Sequence, residues 1–349
     1  MSDELKQRVK ERREAIRAAR TLPGISDDVD PDTPPSWYEP EAFRHAQKLF
    51  ETYAIIQLYG LNLVLYHTSG LTPLLATGNS SNIPKLFTRY LSTMLHVNNW
   101  FESDPFDKTS KCYRSLKMVR GLHRQVGQKM NKHVQDGDMK WISQYGMAHA
   151  QFSFVGFMAI FPKELGFSSF KAKDFHALFH FWRVIGYCLG TDDKYNLCSG
   201  SDEETIELCR QIYFDEWLPV IREGTEKTGI AMSEGICVAM AKVSPNVNYN
   251  VLMRYASPFM HLDVNNYPLK NIGERFHYFM ICTLYGVISK FKFSNWIVTK
   301  VGAIRLRRAV RLKQQLRDEL AREHPNIEYK NNHCPFDVSF DYVDVFQMK

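Results

Sequence analysis

The stretch Met118–Gly127, with the sequence MVRGLHRQVG, combines an apolar helical pattern with two side chains that can do chemistry. Its valine and leucine residues recur at steps of three and four, which predicts an amphipathic helix. Arg120 and His123 are three residues apart and therefore lie one turn apart on one side of that helix, beside the apolar stripe. A neutral imidazole can bind a metal and a guanidinium can pair with an anion, so this helix is a candidate cofactor site.

A second stretch, KLFTRYLSTML, places Arg89 and Thr93 one turn apart on a helix face shared with Leu86. A buried arginine is costly unless an anion pairs with it. The segment Thr52–Phe101 contains no Asp or Glu, so a bound ligand could supply the missing carboxylate. Haem meets these requirements because it needs an apolar slot, an imidazole for its iron, and arginine or hydroxyl partners for its propionates.

Two other histidine patterns predict weaker sites. His176 and His180 lie four apart in HALFH, which can bind a metal across one helical turn, but the glutamate of a zinc protease is missing. Glu274 and His277 form a single Glu-x-x-His pair, whereas a di-iron bundle needs that motif on two helices. We interpret these histidines as core or surface residues.

The elements that position these side chains are predicted to be helices, and the fold class is all-α. Residues 1–36 read as a charged helical arm followed by a Pro- and Asp-rich strap, and residues 37–349 as one large helical domain. A short hairpin at VSFDYVDVF is the one candidate for strands. The helical patterns cover residues 41–66, 83–101, 108–134, 138–161, 172–189, 202–224, 232–242, 247–256, 268–291 and 296–323.

Composition excludes several classes of protein. Aromatic residues make up 13% of the 349 residues, enough to fill a helical core or line an apolar cavity. The net charge of +6 is mild and no base-reading module appears, so we predict no nucleic-acid partner. Seven cysteines without a CxxC pair indicate reduced thiols in an intracellular protein. The charged N-terminus is no signal peptide and the apolar runs are too short to span a bilayer, which favours a cytoplasmic or peripherally membrane-associated protein.

Four motifs, in this order, resemble the rubber oxygenase (latex clearing protein) family: TRYLST, VRGLHRQV, MAHAQFSFVGF and FWRVIGYCLGTDDKYN. The same catalytic domain occurs in fungal oxygenases of mycophenolic acid biosynthesis. The resemblance runs from about Phe43 to about Asn196, with a looser helical match to about residue 320. It implies an all-α fold with a globin-like core around haem b.

The resemblance also implies roles for five residues. His123 is expected to be the iron ligand, and hence both the metal-binding and a catalytic residue. Arg89, Thr93 and Arg120 are expected to hold haem and its propionates, with Arg89 and Thr93 also taking part in catalysis. His149, in the third motif, is expected to belong to the cofactor-binding set.

Three positions differ from the rubber-cleaving members of that family. Those members carry a lysine directly before the matched threonine, where this chain has Ser92, which is too short to reach the iron. Their upstream glutamate base has no counterpart in the acid-free segment, and their arginine one turn after the histidine is Gly127 here. These differences leave haem binding in place and bear on the cleavage reaction.

The leading function is therefore a haem b-dependent oxygenase that uses O2 on an apolar isoprenoid or alkenyl substrate, with oxidative cleavage of a C=C bond as one outcome. Two alternatives stay open: a haem-containing peroxidase or dehydrogenase, and a non-enzymatic protein that binds haem or apolar ligands. The basic C-terminal helix KVGAIRLRRAVRLKQQLRDEL allows two interpretations, ordinary packing on the domain or peripheral contact with an anionic membrane.

Overall fold

The computed structural model describes residues 2–59, 77–245 and 247–329, and its regular elements there are helices. One isolated β-bridge joins Pro23 and Ser143. The all-α prediction is thus confirmed. The helices are α1 Asp3–Ala18, α2 Pro40–Tyr59, α3 Ile83–Glu102, α4 Lys111–Asn131, α5 Gln144–Ile160, α6 Ala172–Leu189, α7 Asp202–Gln211, α8 Leu218–Glu223, α9 Lys227–Ala241, α10 Tyr249–Ala256, α11 Ile272–Gly286, α12 Lys292–Arg311 and α13 Lys313–Glu323.

Two of the predicted helices are interrupted. The helix predicted at 202–224 contains a wide π-turn at Ile212–Trp217, which ends two residues before Pro219. Proline has no amide hydrogen, so it removes the bond to the carbonyl four residues earlier and the helix widens there. The helix predicted at 296–323 breaks at Leu312, whose backbone leaves the helical region. The predicted C-terminal hairpin lies outside the described residues.

The chain forms two compact units from discontinuous segments. Unit 1 comprises residues 1–50, 95–160 and 170–216, and unit 2 comprises residues 51–94, 161–169 and 217–349. Helix α3 contributes its first part to unit 2 and its last eight residues to unit 1. In unit 1, α6 packs against α4 and α5, and α5 also packs against α7.

Aromatic stacking forms the centre of unit 1. The Phe181 ring lies 4.8 Å from Phe43 and 3.9 Å from Phe101, centroid to centroid, and Trp182 stands edge-on to Phe101. These rings come from α2, α3 and α6, so a single cluster fixes the three helices relative to each other.

The charged N-terminal arm is an integral part of unit 1. Val9 and Ile16 on α1 are buried, and α1 packs against α7. On its polar side, Arg8 pairs with Glu204, and Arg13 Nε lies 2.8 Å from Glu216. The arm predicted from charge alternation is therefore a helix whose cations reach acids about two hundred residues away, and the predicted boundary at residue 36 stays a prediction.

Unit 2 is built around α10–α13. Helix α10 packs on α11, where the Tyr255 and Tyr285 rings stack at 5.0 Å, and α12 contacts α13, in which Leu316 and Leu320 are buried. Among the described residues, no helix combines the length and apolarity needed to cross a membrane.

Candidate functional site

Helix α4 carries the central histidine and arginine of the sequence analysis. The helix starts at Ser110, whose hydroxyl accepts a hydrogen bond from the Tyr113 amide, a standard N-cap. Its buried face includes Leu116, Arg120 and Met130, whereas the valine and leucine residues of the predicted stripe are half-buried. His123, one turn beyond Arg120, is half-buried.

Arg120 is held by backbone carbonyls. Its guanidinium donates to the oxygens of Val29 (3.0 Å), Cys188 (3.4 Å) and Ser26 (3.5 Å). These three hydrogen bonds use three of the five N–H groups of Arg120. Through them, α4 is connected both to the N-terminal strap and to the end of α6. Gly190 ends α6 with φ 112°, and a Cβ there would lie 3.1 Å from Arg120 Nη1. The geometry gives Arg120 a positioning role that needs no cofactor, and its pairing with a propionate stays a prediction.

His96 on α3 is a functional candidate that the motif analysis did not select. It is only 6% exposed, and its Nδ1 lies 2.7 Å from the Ser115 hydroxyl of α4. The same hydroxyl accepts a hydrogen bond of 2.9 Å from Trp100 Nε1. Nε2 of His96 is buried and has no hydrogen-bond partner among the described residues. A buried polar atom in that position is costly unless a ligand meets it.

His96 and His123 are electrostatic neighbours within unit 1. Burial, and to a smaller extent the nearby His123, lower the pKa of His96 to about 4. The imidazole of His96 is therefore neutral at pH 7, the form in which a histidine binds a metal. The sequence alone could have indicated His96, because this residue lies three positions after Thr93 and so extends the Arg89–Thr93 helix face by one turn.

Arg89 and Thr93 lie in the part of α3 that belongs to unit 2, and both are half-buried. Arg89 Nη1 donates to the Ser80 hydroxyl at 3.1 Å. The Thr93 hydroxyl donates to the Arg89 carbonyl at 3.1 Å, a bond inside its own helix. Ser92 between them is buried. The cofactor roles of Arg89 and Thr93 stay predictions.

His149 on α5 belongs to a separate polar cluster of unit 1. Its Nε2 lies 3.8 Å from Glu216 in the π-turn, and its ring lies 4.1 Å from the Tyr145 ring. Glu216 also pairs with Arg13 and Arg17 of α1. Burial lowers the pKa of His149 to about 4, against the opposing pull of Glu216. The cluster joins α1, α5 and the π-turn, and the predicted role of His149 in haem binding stays a prediction.

The two histidines of HALFH have partners that explain them without a metal. His180 Nε2 accepts a hydrogen bond from the Glu39 amide at 3.0 Å. His176 lies between carboxylates, 3.2 Å from Asp202 and 3.4 Å from Glu39. Both arrangements agree with the interpretation of these residues as core or surface histidines.

Across residues 2–59, 77–245 and 247–329, no group of three or more His, Cys, Asp or Glu could hold a metal ion. A metal bound by protein side chains alone therefore has no candidate site there. A haem iron makes a smaller demand, since the porphyrin nitrogens supply its in-plane ligands and the protein adds one or two side chains.

The described structure defines an all-helical protein that buries an imidazole with a free ring nitrogen beside a second histidine. A solved structure of latex clearing protein in the closed state is similar to it: the TM-score is 0.55, the sequence identity is 15%, and 87% of each chain is covered. The chain thus has a latex-clearing-protein-like fold, which confirms the resemblance inferred from the four motifs at the level of fold. No model of a protein family matches the chain, and no curated protein does.

Proposed function

We propose that this protein is a haem b-dependent oxygenase that acts with O2 on an apolar isoprenoid or alkenyl substrate. The observation that carries the proposal is the histidine pair of unit 1: a neutral His96 whose Nε2 is buried without a hydrogen-bond partner among the described residues, next to His123. The latex-clearing-protein-like fold supports it, since that protein's name points to an apolar polymer.

The residues of the chain fit the demands of haem. His123 would bind the iron, as the family motif implies. Arg89 would pair with a propionate, as the resemblance to the rubber oxygenase motif implies. Arg120 would act as a positioning residue that fixes α4 to the strap and to the end of α6. Haem bound there would supply the iron that activates O2 towards a carbon–carbon double bond.

His96 gives this site a second imidazole. In the rubber-cleaving family a lysine precedes the matched threonine, and here Ser92 is too short for that role. His96 lies one turn further along the same helix, and Ser115 orients its ring so that Nε2 is left for a ligand. We infer that His96 provides the polar group that Ser92 does not.

A second candidate function is a haem protein without oxidative cleavage, a peroxidase or a ligand carrier. The observation that favours it is the absence of Asp and Glu from Thr52–Phe101, where the family places its base. Oxygen uptake with an alkenyl substrate, with the products identified by mass spectrometry, separates the two functions. An oxygenase consumes O2 and yields carbonyl or hydroxylated products, whereas a carrier does neither.

The test of the proposal is the visible spectrum of the purified protein, as isolated and after dithionite, with haem titrated into the apoprotein. We expect a Soret band with one haem per chain. A protein that binds no haem under these conditions would refute both the oxygenase and the haem-carrier functions.

A further inference from the structure

Helices α11 and α12 of unit 2 expose an unusual number of large apolar side chains. Of the fifteen such side chains that are exposed among the described residues, eleven fall between residues 272 and 304. We call them the apolar surface: Ile272, Phe276, Phe279, Met280, Val287, Phe291, Phe293, Trp296, Ile297, Val301 and Ile304. A concentration of large exposed apolar side chains is typical of an interaction site.

Helix α12 has the reverse of the usual amphipathic arrangement. Its buried positions are Asn295, Thr299 and Ala309, and Nδ2 of Asn295 donates a hydrogen bond to the Ser289 carbonyl at 2.6 Å. Its outer face carries Phe293, which is 72% exposed, and Ile304, which is 60% exposed. The helix therefore packs inward through small and polar groups and leaves its apolar side for another partner.

The same segment is strongly basic. From Arg275 to Arg317 the sequence contains no Asp or Glu. It contains ten cationic residues: Arg275, Lys290, Lys292, Lys300, Arg305, Arg307, Arg308, Arg311, Lys313 and Arg317. Lys290, Lys292 and Lys300 are exposed and alternate with the aromatic residues of the apolar surface. The partner must therefore offer both apolar and anionic groups.

We infer that the apolar surface of α11 and α12 docks on an anionic lipid bilayer. Phenylalanine and tryptophan would enter the boundary between headgroups and acyl chains, and the lysines and arginines would lie at the phosphates. The described helices provide no membrane span, so the contact is peripheral. This inference is independent of haem, and it would place the protein where apolar molecules dissolve.

A second copy of the chain fits this surface less well. A twofold contact would set the same surface against itself and bring two sets of ten cations together without a carboxylate between Arg275 and Arg317 to compensate them. An anionic bilayer compensates these charges directly. The predicted C-terminal helix fits both interpretations given above in part. Leu316 and Leu320 of α13 are buried, as ordinary packing requires, whereas Val301 and Ile304 of α12 are exposed, as membrane contact requires.

Co-sedimentation of the full chain with vesicles tests the inference. Phosphatidylcholine vesicles are compared with vesicles of phosphatidylcholine and phosphatidylserine, each at low and high salt. We expect binding to the mixed vesicles at low salt and weaker binding at high salt, because salt screens the cations. Brominated lipid should quench the fluorescence of Trp296, and the variant Trp296→Phe should show less quenching.

Two variants separate the apolar and electrostatic contributions. Replacing Phe279, Phe293 and Ile297 with serine should abolish binding. The variant Lys290→Gln, Lys292→Gln, Lys300→Gln should weaken partitioning into the mixed vesicles about a hundredfold. The charge-matched control Lys48→Gln, Lys108→Gln, Lys173→Gln changes three exposed lysines elsewhere and should bind as the wild type does. Circular dichroism confirms that each variant is folded.

Equal sedimentation with neutral and mixed vesicles at low salt would overturn the inference. So would a stable dimer in light scattering that the serine variant dissociates, since the apolar surface would then belong to a second copy. The lysine variant keeps the test decisive even if the serine variant fails to fold.

Discussion

Unit 1 buries polar side chains in its interior, whereas unit 2 exposes large apolar side chains on its surface. Unit 1 buries His96 and His149 together with Arg120 and Glu204, whereas the α11–α12 segment of unit 2 exposes phenylalanines and a tryptophan. A buried imidazole whose Nε2 has no hydrogen-bond partner among the described residues suits a small ligand held inside the protein. A broad apolar and cationic face suits a partner too large to enclose. Under the two proposals above, ligand recognition and surface attachment therefore belong to different parts of the molecule.

The largest effect is expected at His123. The variant His123→Ala should lose bound haem while keeping its helical circular dichroism, because the iron ligand is removed from a half-buried position. His176→Ala is the matched control, since His176 lies between two carboxylates of unit 1 and should not touch the cofactor. Full haem content and an unchanged Soret position in His123→Ala would show that His123 is not the iron ligand.

Arg120→Leu distinguishes a positioning role from a propionate partner. The change removes three bonds to carbonyls, so we expect the apoprotein to lose about 2–3 kcal/mol in its free energy of unfolding, measured with urea. Arg89→Leu should instead weaken haem retention by about 1–3 kcal/mol. If Arg120→Leu weakens haem retention but leaves the stability of the apoprotein intact, the propionate role is the correct one.

The buried His149 should make the apoprotein sensitive to acid. Its pKa is about 4 in the folded state and about 6.5 when unfolded, so between these values the unfolded state binds the extra proton. Stability should therefore fall as the pH falls, by roughly 2 kcal/mol between pH 7 and pH 5 from this residue.

Urea unfolding of His149→Gln across that pH range measures this contribution, since the variant should show a flatter pH profile than the wild type. His123→Ala serves as the comparison, because it removes a half-buried histidine rather than a fully buried one. If the free energy of unfolding depends on pH equally in His149→Gln and the wild type, His149 is not the group that causes the acid sensitivity.

The smallest expected effect belongs to His96. In the haem-loaded protein, His96→Ala should keep haem, shift the Soret band, and change the affinity for added imidazole by about tenfold, the equivalent of one hydrogen bond of about 1.4 kcal/mol. Ser115→Ala should move the spectrum in the same direction by less, because it loosens the ring without removing it. A spectrum and an imidazole affinity identical to the wild type in both variants would place His96 outside the ligand site.

The sequence predicted most of the fold because helical periodicity is local. Helices α4 and α7 both depend on residues within one or two turns, and both lie within the segments predicted to be helical. Even the break at the π-turn has a local cause, Pro219, although the original pattern was interpreted as continuous.

The site was less predictable because its partners are distant in sequence. Arg120 meets the carbonyl of Val29, ninety-one positions away, and Arg13 meets Glu216 across two hundred residues. No spacing rule reveals such contacts. His96 could have been selected from its place on the Arg89–Thr93 face, but its burial and the free Nε2 become visible only when α3 and α4 are brought together.

The hydroxyl of Ser115 determines which nitrogen of His96 carries a proton. Trp100 can only donate to it, which leaves Ser115 one hydrogen and one lone pair for His96 Nδ1. If Ser115 donates, Nε2 bears the hydrogen and acts as a donor to a bound molecule. If Nδ1 donates, Nε2 presents a lone pair and can bind a metal. The same imidazole therefore changes from a proton donor into a ligand when its ring proton is on Nδ1 instead of Nε2 and the Ser115 hydroxyl accepts instead of donating, without moving the ring.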